Sequence, residues 1–136
     1  MNRIHVHLLD LSDQILLTIL KKLENIDVLY SLLDINNERL DNLAQNTIFT
    51  NTLNFLLISS TDHISSINLQ ILDRLCNYVL PRIYSNVKCL IVEPLSMERI
   101  LLASSHYSNL TELKLFNFER RTALHYFTGN HLAFFF

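Results

Sequence analysis

His5 and His7 are the first side chains in this chain whose types and spacing suit chemistry. On an extended segment alternate residues share a face, so the pair could supply two ligands to a metal. A zinc site needs three or four ligands, and no third one stands nearby in sequence, so a solvated arm is expected instead. His63, His106, His125 and His131 are scattered. Asp10 and Asp13 have the look of a carboxylate pair, but they stand where a helix start favours negative charge, and capping is the expected role. Cys76 and Cys89 are too few for a disulfide framework and read as core fillers in a reduced protein. Phe118 to Arg121, "FERR", reads as a solvated turn. No Gly-x-Ser-x-Gly, glycine-rich phosphate loop, His-Glu-x-x-His or Cys-x-x-Cys occurs. The expectation is no catalytic residue, no metal, no cofactor and no enzyme.

Composition narrows the alternatives. The chain has 136 residues, 49% hydrophobic and 18% charged, with a single glycine, which is too apolar for disorder. A net charge of −2 argues against nucleic acid, which demands a basic face. The longest apolar stretch, "LNFLLI", is strand-sized, so no membrane span is expected. The N-terminus lacks a signal peptide's apolar core and cleavage site. An intracellular protein, cytoplasmic or nuclear, is the default.

The elements that position these residues fall into two parts. Residues 1–47 read as a helical domain. Ile15, Leu16, Ile19, Leu20 and Leu23 make a helical stripe, begun by a capping Ser12, with Lys21 and Lys22 at its basic end. A second helix carrying Val28, Leu29, Leu32, Leu33 and Ile35 is expected to be capped by Asp27. Leu40, Leu43 and Ala44 mark a third. Three helices this short make a very small core, so they need support from elsewhere. "QNTIFTNT" reads as a polar linker.

Residues 48–136 alternate strand and helix patterns. Strands are expected at "LNFLLI" (53–58), "VKCLIV" (87–92) and "LTELKLFNF" (110–118). "SINLQILDRLCNYVL" reads as a helix ended by Pro81. "SMERILLASSHY" reads as another, with Ser96 as N-cap and Leu95 stapled to Ile100. Val87, Leu90 and Val92 recur as Leu110, Leu113 and Leu115 at an offset of 23, and Leu53, Leu56 and Ile58 have the same internal spacing. A Leu-x-x-Leu-x-Leu strand followed by a helix, at a period in the twenties, is the leucine-rich-repeat pattern. The asparagine that normally follows such a strand is replaced by Glu93-Pro94 and by Phe116-Asn117. An ordinary α/β unit with leucine-rich strands is the alternative. The end, "LHYFTGNHLAFFF", offers no polar cap, and reads as a truncated or divergent repeat region or a terminus packed on a partner. The fold class expected is α+β: a three-helix head, then a short leucine-rich-repeat-like α/β segment.

"LSDQILLTILKKL…DVLYSLLDIN" resembles the F-box motif over about residues 8–44. Leu11, Ile15, Ile19 and Leu23 fall on its first part, and Asp27, Leu29, Leu32 and Ile35 on its second. The order of three helices followed by leucine-rich repeats is also one that F-box proteins carry. Three positions depart. Ser12 stands where the family has proline, Gln14 where it has glutamate, and no tryptophan exists, Arg39 or Leu40 occupying that region. Serine can start the helix by a different device, its hydroxyl accepting an amide N–H at a gain of about 1 kcal/mol. The resemblance implies a substrate receptor of a cullin–RING ubiquitin ligase. It would dock on a Skp-type adaptor through Leu11, Ser12, Ile15, Leu16, Ile19, Leu23, Leu29, Leu32 and Ile35, and hold an unknown protein substrate on its repeats. The other expectation is a scaffold without ubiquitin function, whose helices cap the repeat sheet. A docking head leaves the Ile15–Leu23 stripe exposed, and a cap buries it on the strand at 53–58.

Overall fold

The computed structural model describes residues 4–58, 64–104, 106–116 and 134–135, a mixture of helices and a small, mainly parallel sheet. Helix α1 is Asp13–Leu20, and Ser12 begins it as expected: its Oγ accepts from the Ile15 N–H at 3.3 Å. Helix α2, Asn25–Leu32, starts earlier than expected. Glu24 holds the cap position, making no side-chain cap bond, and Asp27 lies in the first turn rather than ahead of it. The helix also stops earlier, because Asp34 and Asn36 take left-handed backbone at φ 62° and 61°. Short amide and carboxylate side chains tolerate that conformation. Ile35 therefore sits in the turn and not on the second helix. Helix α3, Glu38–Ala44, is capped by Asn37, whose Oδ1 accepts from the Leu40 N–H at 3.0 Å.

The expected polar linker is structured instead. Asn46 caps the one-turn helix α4, Thr47–Thr50, and both Phe49 and Thr50 are buried. Two bulky or branched residues amid polar ones are enough to tether a short segment to a core.

Strand β1 is Thr52–Asn54, and "LNFLLI" divides after it: Leu56–Ile58 forms β2, paired antiparallel with β3, Ile64–Ser66. Strands β4, Cys89–Val92, and β5, Glu112–Leu115, continue a parallel sheet from β1. Leu113–Lys114 of β5 pair with β6, Phe134–Phe135. The repeat offset of 23 is the pairing register, since Leu90 faces Leu113 and Val92 faces Leu115. The upstream strand is registered differently from expectation. Leu53, not Leu56, faces Leu90. Thr50, Leu53 and Phe55 thus hold the positions of Val87, Leu90 and Val92, three residues from the spacing match the sequence offered. All six are buried. The ladder repeats in detail: Asn51 O accepts from Lys88 and Cys89 N–H, and Lys88 O accepts from Thr111 and Glu112 N–H.

The helix expected to end at Pro81 runs on. It is α5, Leu69–Arg74, then a π turn over Leu75–Val79, then α6, Leu80–Ile83. In the π turn the Leu80 N–H bonds the Leu75 carbonyl, five residues back. That wider turn breaks the regular ladder just before Pro81, which has no N–H to offer and needs room for its ring. Helix α7 is Pro94–Leu102, and its cap is Glu93, not Ser96: the carboxylate accepts from Leu95 N–H at 3.0 Å and Ser96 N–H at 2.8 Å. Proline fits the first helical position, which fixes the cap one residue before it. Leu95 is 81% exposed, so the expected staple to Ile100 does not form.

One hydrophobic cluster runs through all of this. Leu20, Val28, Leu29, Leu33 and Phe49 share it with Leu53, Leu75, Leu90, Ile100 and Leu113. Helix α2 packs on β1, α4 and the π turn. Two arginines of the long helix reinforce the joint. Arg74 donates to the carbonyls of Tyr30 at 3.0 Å and Leu33 at 2.6 Å, at the end of α2. Arg82 grips Asp41 of α3 with two hydrogen bonds, one of 2.8 Å.

Two stability predictions follow from these placements. Thr50 is fully buried with no hydrogen-bond partner for its hydroxyl among the described residues, at the position where the next strand has Val87. Thr50→Val should raise unfolding stability by about 1 kcal/mol in urea titrations, because an unpaired buried hydroxyl is removed. The Arg82 hydrogen bonds hold the Asp41 carboxyl below its ordinary value of 3.8. A depressed carboxylate stabilises the fold above its unfolded pKa and stops doing so as pH falls through the folded one. Asp41→Asn should therefore cost about 1 kcal/mol at neutral pH, with the difference from wild type closing as the medium is acidified below about pH 4.

Candidate functional site

Helix α1 divides its apolar residues between two faces. Leu16 and Leu20 turn inward and are buried. Ile15 and Ile19, one turn apart, and Leu23, in the turn beyond the helix end, remain 50%, 42% and 51% exposed. Within α1 the division follows from the 100° step per residue: positions i and i+4 share a side, and their successors are rotated towards the core. This exposed row is flanked by Asp10 and Asp13 at its start and by Lys21 and Lys22 at its end.

The arm before α1 adds to the surface. Leu8–Asp10 form a 3-10 turn in which the His7 N–H donates to Asp10 Oδ2 at 3.3 Å. Leu8 and Leu9 are each 47% exposed. Arg39, on α3, fastens this arm. Its Nη1 donates to the Leu9 carbonyl at 2.6 Å, its Nη2 to the Leu11 carbonyl, and its Nε to Asp13 Oδ1 at 2.8 Å. A planar guanidinium with several fixed donors is suited to three acceptors at once, which an ammonium is not.

Each sequence-derived docking residue can now be placed. Ser12, Ile15, Ile19 and Leu23 are exposed along α1 and its flanks. Leu11 and Leu32 are half-buried. Leu16 and Leu29 are core residues at 1% and 0% exposure, and their side chains serve the fold rather than a docking contact. Ile35 is exposed, in the α2–α3 turn. The sequence pattern did not single out Leu8, Leu9 or the Arg39 clip. The first two precede the helical period, and a hydrogen bond spanning about thirty residues leaves no local signal.

Among the described residues, the histidines, acids and cysteines form no catalytic or metal-binding constellation. His5 and His7 are exposed, and no cluster of three metal-binding side chains occurs among the described residues. Both cysteines are buried, and burial pushes each thiol pKa up, away from the reactive thiolate. The Tyr107 hydroxyl donates to the Ile100 carbonyl, and burial raises its pKa too. His63, His125, His131 and "FERR" lie outside the described residues, as does all of "LHYFTGNHLAFFF" except Phe134 and Phe135. No helix among the described residues is long and apolar enough to cross a membrane.

No protein-family profile matches the chain, and neither a curated protein nor a solved structure is significantly similar to it.

The Arg39 clip is open to direct test. Arg39→Gln should speed amide exchange over residues 8–16 while α2 stays protected, and lower stability by about 1–2 kcal/mol. Hydrogen-exchange mass spectrometry measures both regions at once.

Proposed function

We propose that this chain is an F-box-type substrate receptor of a cullin–RING ubiquitin ligase, docking on a Skp-type adaptor and holding a protein substrate on a short leucine-rich-repeat-like region. The observation that carries the proposal is the outward row of Ile15 and Ile19 on α1, continued by Leu23 in the turn after it, while Leu16 and Leu20 of the same helix are buried and Leu17 is half-buried. It gives physical substance to the resemblance over residues 8–44. Such a receptor carries no ubiquitin chemistry; it raises the effective concentration of substrate near the conjugating enzyme. Its expected location is intracellular, cytoplasmic or nuclear.

Magnitudes decide how large the docking surface must be. The three residues are already half covered, so complete burial adds roughly 1 kcal/mol each. Association costs about 4–15 kcal/mol before any gain appears. The row alone is therefore too small, and the arm residues Leu8 and Leu9 must take part. Ser12 begins the helix, and Arg39 ties the third helix to the arm in the region where the family has its tryptophan.

A second reading rests on its own observation. Helix α2 covers β1 at the sheet edge, and Asn25 Nδ2 donates to the Thr52 carbonyl at 2.9 Å. A scaffold whose head caps a repeat sheet requires that contact. Both readings share the cap; only the receptor uses the outward row. Co-purification with a Skp-type adaptor separates them. Wild type should retain the adaptor, and a folded Ile15→Asp/Ile19→Asp variant should lose at least tenfold in affinity. Failure of wild type to bind, or indifference to the double change, leaves the scaffold reading.

A further inference from the structure

A groove of about 280 Å³ lies where the start of α2 meets the β1–β2 junction and the approach to α5. Ile26, Leu56, Ile67 and Ile71 line it with apolar surface, and Glu24, Asp27 and Asn54 contribute its polar groups. Its charge among the described residues is one-sided, since two carboxylates and no cation of that set line it. Elsewhere Asp13, Asp41 and Asp73 each face an arginine. Glu24 and Asp27 have no ion-pair partner among the described residues, and Glu24 makes no capping bond either. The dipole of α2 favours acid at its first turn, but it gives no reason for a recess of isoleucine and leucine beside those acids.

The two carboxylates are three residues apart at the start of a helix, a spacing of about 5–6 Å between Cβ atoms that one cationic head can bridge. Asn54 accepts from the Leu56 N–H at 2.9 Å through Oδ1, which leaves its amide N–H groups as donors. A lysine or arginine side chain matches the carboxylates and the apolar wall, and the Asn54 N–H groups can donate to a main-chain carbonyl of the segment that carries it. The side chain's aliphatic stem covers apolar surface while its head meets acid. The volume is near the lower end of ligand-sized pockets, about 300 Å³, which is room for a few side chains and not for a helix.

We propose that this groove binds a short extended segment of a partner protein in which a lysine or arginine stands next to an aliphatic residue. Charge complementarity selects that occupant: an acidic or purely apolar segment would leave both carboxylates facing it unpaired. The groove and the α1 row share no residue, so binding here is separable from adaptor docking. Naming the segment as part of the substrate rests on the receptor function proposed above.

The test uses the full chain and a fluorescein-labelled hexapeptide of alternating leucine and lysine, with fluorescence polarisation as the readout. The lysine peptide should bind at least tenfold more tightly than its leucine–glutamate counterpart, and added salt should weaken it. Glu24→Gln/Asp27→Asn should reduce lysine-peptide affinity at least tenfold, and Glu24→Gln alone by less. Glu38→Gln/Glu98→Gln removes the same net charge at exposed sites outside the groove and should leave affinity within twofold. Equal binding of both peptides overturns the proposal. So does an equal loss in the two double variants, or a groove variant that is folded by circular dichroism and binds as wild type does. Ile15→Asp/Ile19→Asp should keep the peptide while losing the adaptor. A chain that binds the peptide but no adaptor retains the site and removes its assignment to a ubiquitin-ligase substrate.

Discussion

The parallel register is the constraint on which the rest of the molecule depends. Leu53, Leu90 and Leu113 lie side by side across β1, β4 and β5, and the rows before and after them are apolar as well, apart from Thr50. A parallel sheet exposes its faces unless helices cover them. Here the helix spanning 69–83 and α7 follow β3 and β4, and their buried residues Leu72, Leu75, Val79, Met97 and Ile100 close the same cluster. The register is specified because one residue of slip would turn every inward leucine to the other face.

The head is fitted to that sheet from its first edge. Helix α2 gives Ile26, Val28 and Leu29 to the cluster, with Leu33 just after it, and the Asn25 amide satisfies a carbonyl of β1, the edge strand of the sheet among the described residues. Arg74 and Arg82 reach back from the long helix to the ends of α2 and α3. Residues on both sides of position 47 thus share one core. Three short helices that could not hold themselves together acquire stability from the sheet. This is also what frees α1: with α2 meeting the sheet, the outer row of α1 is left over.

Arginine does much of the joining. Arg39, Arg74 and Arg82 each bind groups at least twenty-six positions away in the chain. Two of them take backbone carbonyls at or near the ends of turns and helices, where those carbonyls lack helical partners. These contacts orient surfaces more than they stabilise the whole, since each arginine remains partly open to water.

Much of the architecture is legible in the sequence. The α+β class, the Ser12 helix start, the stripe on α1 and the 23-residue offset between β4 and β5 all follow from local periods and capping chemistry, which act within a few residues. What went astray depended on distant neighbours or on single-residue competition. The β1 match was misplaced by three residues because Leu53 and Leu56 are equally plausible leucines until a partner strand chooses between them. Pro81 failed to stop its helix because a π turn makes room for it, and Ser96 yielded its cap to Glu93 because Pro94 is favoured at the first helical position. By itself, the sequence determined that a helix with a wide apolar stripe would begin after Ser12; it carried that helix through Lys21 and Lys22 to Leu23, whereas the structure ends it at Leu20. Only the tertiary structure decided that Leu16 and Leu20 go to the core while Ile15, Ile19 and Leu23 stay at the surface. Periodicity measures how apolar a face is; which part of that face meets water depends on where the sheet and its covering helix leave room.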